Sequence, residues 1–227
     1  MGKYLRPFPL LAAVTLVLLA SETSAFAQRG YYGPGYRRPG YYTPYYGGQT
    51  HDGFYMRLDI GVGYLSASES YGGGTDYYSG AGLTYGAAFG GAIAPNLIIF
   101  GELFGTTVLD ATYTYRGSSG PSGMDITMYA FGPGVAYYFE PINLYLSGSL
   151  AFTKMSFSDT GTGAAIDDTR LGFGLNFMVG KEWWVGREWG IGLAGQIHVA
   201  TMGDYVQGYD TRMNAMTLSM LFSVTFN

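Results

Sequence analysis

The chain has 227 residues, no cysteine, charged side chains at only 12% of positions and a formal net charge of −4. Disulfide staples and cysteine-ligated metals are excluded, and the acidic balance makes nucleic acid an unsuitable partner. Beside that scarcity of charge stand 37 glycines and 22 tyrosines, a composition suited to closely packed strands with aromatic girdles and not to a soluble helical domain.

Lys3 and Arg6 precede an apolar run from Leu10 to Ala20, followed by Ala25-Phe26-Ala27. This order predicts a secretory signal over 1–27 with a small-x-small cleavage site. The run is too short for the roughly 20 residues of a spanning helix, which weighs against an uncleaved anchor. Its removal takes away Lys3, Arg6 and Glu22, leaving a net charge of about −5. Residues 28–52 follow as a separate region, with Tyr31, Tyr32, Tyr36, Tyr41, Tyr42, Tyr45 and Tyr46 among Gly, Pro, Arg29, Arg37 and Arg38. Too little aliphatic surface is available there to offset the entropy of ordering. A disordered periplasmic tail is expected, with a sharper alternative in which its aromatic and cationic side chains dock on the cell wall, a periplasmic protein or the barrel's own lower rim.

From Gly53 to the end, 53–227, eight candidate strands alternate apolar and polar side chains. The first, 54–66, sends Met56, Leu58, Ile60, Val62 and Tyr64 to one face and Tyr55, Arg57, Asp59, Gly61 and Gly63 to the other. The second, 80–93, opposes Leu83, Tyr85, Phe89 and Ile93 to Thr84, Gly86 and Gly90. In the third, 97–109, both faces are apolar; Glu102 is assigned inward, with Ile98, Phe100 and Phe104, because lipid offers a carboxylate no partner. The fourth, 125–139, shows Tyr129, Phe131, Val135, Tyr137 and Phe139, and the fifth, 144–157, shows Leu144, Leu146, Leu150 and Phe152. The sixth, 169–181, opposes Leu171, Phe173, Leu175 and Phe177 to Arg170, Gly172, Gly174 and Asn176. The seventh, 189–202, exposes Ile191, Leu193, Ile197 and Val199 with Gln196 and His198 inward. The eighth, 216–226, alternates Met216, Leu218, Met220, Phe222, Val224 and Phe226 with Thr217, Ser219, Ser223 and Thr225.

Connections after the second, fourth and sixth strands are short, whereas the other four are long and rich in Gly, Ser, Thr and Asp. That alternation predicts an all-β, up-and-down transmembrane β-barrel with short periplasmic turns, longer extracellular loops and periplasmic termini. A soluble lipocalin-type barrel is the structural rival, but it keeps its apolar residues inside. Here the faces opposite the apolar ones are largely Gly, Ala, Ser and Thr.

The Leu218, Met220, Phe222, Val224, Phe226 alternation and the Gly180-Lys181-Glu182-Trp183-Trp184 to Gly190-Ile191-Gly192-Leu193 hairpin carry a resemblance. Residues 53–227 are similar to the small eight-stranded outer-membrane β-barrel superfamily of Gram-negative bacteria, which includes the barrel of outer membrane protein A and the opacity-type adhesins. The resemblance implies insertion by the outer-membrane assembly machinery, with those five terminal residues as the assembly signal. Asn227 departs from the pattern, in which the signal ends on the aromatic itself. Members range from anchors to adhesins, lipases and narrow pores, so the fold does not select an activity.

Arg57, Asp59, Glu102, Arg170, Asn176, Gln196 and His198 are the polar residues expected inside, neutralising one another in a lumen just wide enough for side chains. Trp183, Trp184, Trp189, Tyr137 and Phe139 are expected at a membrane-water interface. His51 and His198 are the only histidines, and the neighbours of His198 lack a His-x-Ser arrangement, so catalysis has little support. No cofactor is called for. The aspartates of the outer connections, Asp159, Asp167, Asp168, Asp204 and Asp210, fit no calcium-loop spacing. The expected function is non-enzymatic: a monomer with a filled lumen, in contact with outer-membrane lipid and lipopolysaccharide, with a structural or adhesin-like role carried by outer loops. A narrow pore, suggested by the inward glycines, is the alternative, ahead of a lipid-modifying enzyme.

Overall fold

The computed structural model describes residues 51–71, 74–206 and 209–227. The predicted signal and all of the tyrosine-rich tail except His51 and Asp52 lie outside the described residues.

Eleven strands follow one another among the described residues: β1 (Phe54–Tyr71), β2 (Gly74–Ala94), β3 (Leu97–Val108), β4 (Thr112–Tyr115), β5 (Ser118–Pro121), β6 (Met124–Phe139), β7 (Leu144–Asp159), β8 (Ala165–Asp168), β9 (Gly172–Trp184), β10 (Trp189–Val206) and β11 (Tyr209–Phe226). Eight of them, β1, β2, β3, β6, β7, β9, β10 and β11, close an antiparallel ring. The seam is the pairing of β1 with β11, from Met56 opposite Phe226 to Ser70 opposite Arg212. Closure leaves no free edge, so every strand backbone can be satisfied without water. The remaining three strands are accessories: β4 and β5 form a hairpin paired to the start of β2, and β8 pairs with the end of β7. We call the end with the short turns and with His51 and Asn227 the base, and the opposite one the far end.

The apolar side chains change sides along the axis. Near the base, Leu58, Ile60, Val62 and Tyr64 are exposed on the outside of β1, and Leu218, Met220 and Phe222 do the same on β11. Above them the phase inverts. Leu65 and Ala67 turn inward beside the outward Ser66 and Ser68, and Met155 and Phe157 turn inward beside Lys154 and Ser156. On β11, Met213 and Ala215 are buried while Arg212 and Asn214 are exposed. An outside that favours hydrocarbon below and water above accounts for the switch, since the inside can then dry out only where the outside is wet. The band from Phe54 to Tyr64 rises roughly 25 Å, one hydrocarbon thickness, on tilted strands.

Two expectations need correction. The connections after the first and seventh predicted strands are not long loops: β1 and β2 pair out to Tyr71 opposite Gly74, and β10 and β11 out to Val206 opposite Tyr209. Strand pairing continues above the band because it needs no apolar outer face, so outward parity could not mark its end. The sixth predicted strand, 169–181, is shifted to Gly172–Trp184. Arg170 and Leu171 are both exposed in succession, a one-residue slip of the kind a bulge makes, and it reverses the face of everything before it. Arg170 therefore lies outside the lumen, where it donates to Asp210 at 2.9 Å with its side chain 61% exposed.

Candidate functional site

The interior is built in three layers by inward residues of the eight ring strands. At the base, Tyr55, Phe100, Tyr138, Tyr145, Met178 and Leu221 pack together. Glu182 sits among them, accepting from the Tyr138 hydroxyl at 3.1 Å and the Thr225 hydroxyl at 2.7 Å. His51 closes this end: it is fully buried, stacks on Tyr138 with ring centroids 3.6 Å apart, and its Nε2 lies 2.9 Å from Asn143 Oδ1. Its backbone N–H donates to Asn96 Oδ1 at 3.4 Å and its carbonyl accepts from the Asn96 N–H at 3.0 Å. Asn96 and Asn143 both occupy the left-handed region, at φ 64° and 51°, which asparagine tolerates in tight turns. The two base turns thus hold the residue that precedes the barrel.

The middle layer is charged. Arg57 donates through Nε to Asp59 at 2.9 Å and through Nη1 to the Tyr55 hydroxyl at 3.1 Å, and its Nη2 lies 3.8 Å from Glu102. Its guanidinium also faces the rings of Tyr145 and Phe100 at 5.5 and 5.7 Å. Glu102 accepts from the Ser149 hydroxyl and from Asn176 Nδ2 at 2.8 Å. Gln196 is buried beside them, and with Asp59, Glu102 and Met178 it borders a residual void of about 10 Å³, at the limit of one water molecule. His198 places Nε2 3.1 Å from Thr153 Oγ1, with Phe104 edge-on at 4.9 Å.

The third layer, at the far end, is the apolar plug of Leu65, Val108, Ile126, Met128, Met155, Phe157, Met202 and Met213. Above it Glu69 is buried, which pushes its carboxyl up, although the Thr211 hydroxyl donates to it. In the β7–β9 connection, the Thr162 hydroxyl and N–H and the Gly161 N–H hold the Asp159 carboxyl below its ordinary range. Lys154 and Ser156 do the same for Asp168.

Six of the seven expected lumen residues, all but Arg170, are therefore buried on inward faces. Phe100 and Phe104 are buried and Ile99 and Leu103 exposed, so Glu102 does face inward. Of the expected girdle, Trp189, Tyr137 and Phe139 lie outside, Trp189 against Phe226 at 5.1 Å and Tyr137 against Phe139 at 4.9 Å. Trp183 packs under the Lys181 ammonium at 5.9 Å. Trp184 departs from that ring: it has the parity of Glu182 and lies 4.9 Å from His51. Leu218, Met220 and Phe222 are exposed on the outer wall, and Val224 and Phe226 are half-buried. Sequence reasoning missed the His51 closure and the far-end plug. The plug had a signal, the reversal of apolar phase after Tyr64 and Phe152.

No family model matches the chain, and no curated protein matches it. Among solved structures, Neisserial surface protein A is 19% identical, with 77% of this chain and 97% of that one covered and a TM-score of 0.52. The outer membrane protein OprG from Pseudomonas aeruginosa is 13% identical over 79% and 99% of the two chains, with a TM-score of 0.46. The attachment invasion locus protein of Yersinia pestis is 16% identical over 76% and 99%, with a TM-score of 0.36. The first likeness supports the fold alone. A closed ring of eight antiparallel strands, an apolar outer band and that likeness give this chain the fold of the small outer-membrane β-barrels.

Proposed function

We propose that the protein is a monomeric, non-enzymatic component of a bacterial outer membrane, with base and termini in the periplasm and far-end hairpins at the cell surface. Its role is structural or adhesin-like, through those hairpins. The carrying observation is the packed interior, in which Arg57, Asp59 and Glu102 hold one another between an aromatic layer and an apolar plug. A barrel filled in this way serves as a rigid support. Two of the inward glycines that favoured a narrow pore are covered by rings: a Cβ on Gly134 or Gly180 would stand 2.5 Å from Phe100 or Tyr145. The lumen residues are proposed as structural, and Leu218, Met220, Phe222, Val224 and Phe226 as the assembly signal. Against an enzyme, His198 is buried, with Thr153 and Phe104 as its close neighbours.

Trypsin added to intact cells tests the orientation. Arg116, exposed between β4 and β5 at the far end, is the expected cut, and Arg187, exposed in the base turn between β9 and β10, is expected to be protected. Cleavage at Arg187 with Arg116 spared would invert the proposal.

A further inference from the structure

A groove of about 810 Å³ crosses the outer wall from Leu150 on β7 past Leu175 and Val199 to Asn214 and Ser68, within the range of small-molecule sites. Its two ends differ in chemistry. At the β7–β9 end the walls are the exposed Leu150, Phe173 and Leu175. At the other end, Thr201, Asn214 and Ser68 stand in register on adjacent strands, Asn214 being the partner of both. Those three form a polar shelf two inter-strand steps wide, roughly 10 Å, just where the outer wall turns from apolar to polar.

Two arginines stand beyond the shelf. Arg212 is exposed and is the cross-strand partner of Gly203. Arg170 lies on the other side of the same glycine: its N–H donates to the Gly203 carbonyl at 2.8 Å, and its Cβ and Cδ are 3.7 and 3.6 Å from where a Gly203 side chain would begin. Asp210 accepts from one Arg170 nitrogen at 2.9 Å, which leaves Arg212 as the arginine next to the shelf on β11.

We propose that this groove seats one phosphorylated glycolipid, the lipid A portion of lipopolysaccharide. An acyl chain lies along Leu150, Leu175 and Val199, the sugar hydroxyls and amides meet Ser68, Thr201 and Asn214, and a phosphate is held by Arg212. A phospholipid has a single compact head group and leaves most of the shelf unpaired, whereas a sugar backbone spans it. Guanidinium groups suit phosphate because their N–H groups can engage two oxygens at once. The assignment rests on the proposed orientation, which places the far end in the lipopolysaccharide leaflet.

Native mass spectrometry of the refolded full chain tests it, with diphosphorylated lipid A, its dephosphorylated form and phosphatidylglycerol as probes. Heat-modifiable migration confirms that each variant is folded. The expected result is one retained lipid A per barrel, weaker retention of both other lipids, and about a tenfold loss for R212E with only partial recovery in R212K, which keeps the charge and loses the two-oxygen contact. A second variant, T201W, fills the shelf without altering charge and is expected to lose lipid A too. Equal retention of phosphatidylglycerol, or undiminished lipid A on folded R212E and T201W, would overturn the site while leaving the barrel reading intact. Absence of any heat-modifiable form would instead overturn the barrel reading and the site with it, and trypsin cleavage at Arg187 on cells would overturn the orientation by itself.

Discussion

Phe100 occupies the space that a side chain at Gly134 would need. The two are cross-strand partners on β3 and β6, and a Cβ at Gly134 would meet the ring's Cε2 at 2.5 Å. The ring's far edge covers the glycine, and the Arg57 guanidinium carbon lies 5.7 Å from its centroid. Phe100→Ala is expected to lower unfolding free energy in lipid vesicles by about 3–5 kcal/mol, the usual consequence of emptying an aromatic site. Urea titration followed by heat-modifiable migration checks this, and a loss within about 1 kcal/mol would show that the ring is not packed as described.

Arg57 is the only cation facing Asp59 and Glu102 among the described ion pairs. Arg57→Met is expected to destabilise the barrel by about 3–5 kcal/mol, because two buried carboxylates lose their counter-charge. Adding Asp59→Asn and Glu102→Gln to that variant removes the uncompensated charge and is expected to restore most of the loss. The same urea titration on the single and triple variants decides it; a triple variant no better than the single one would refute the electrostatic cause.

Lipid made the outer band legible. Hydrocarbon on one side forces Leu58, Ile60 and Val62 into strict alternation, and that alternation also located Arg57, Asp59, Asn176, Gln196 and His198 on the other face. Glu102 was placed by chemistry where periodicity was silent. Above the band the force disappears, so the polar continuation of β1, β2, β10 and β11 read as loop. Arg170 was lost to a one-residue slip that no hydrophobic pattern records, and Trp184 to the assumption that indoles in one turn share a direction. His51 had no periodic neighbours to reveal it; its partners are distant in sequence, Asn96 and Asn143 from two turns and Tyr138 from β6.

His51 closure predicts a local, spectroscopic effect. His51→Ala removes the stack on Tyr138 and the contact with Trp184, each such ring contact contributing about 0.5–1.5 kcal/mol. A red shift of tryptophan emission in H51A, absent in a W184F/H51A double variant, is expected. A shift that persists without Trp184 would place the perturbed indole elsewhere.

Acid should loosen the β7–β9 connection. The Asp159 carboxyl is depressed by donors from Gly161 and Thr162, so its contribution is complete above the unfolded value of about 3.9 and disappears as pH falls through the lower folded value. Asp168, lowered by Lys154 and Ser156, acts in the same direction. The Thr162 amide resonance is expected to hold steady from neutral pH to about pH 5 and to move below about pH 4, with no such movement in Asp159→Asn. Movement centred well above pH 5 in the wild type would contradict the hydrogen-bonded carboxylate.

A closed lumen is tested most directly by single-channel recording of the refolded protein in a planar bilayer. The packed Arg57 layer beneath the Met128, Met155, Met202 and Met213 plug predicts a silent trace for the wild type at every applied voltage, with heat-modifiable migration confirming that folded barrel is present. Reproducible open steps from folded wild-type protein would show that ions pass between those layers and would contradict the filled barrel.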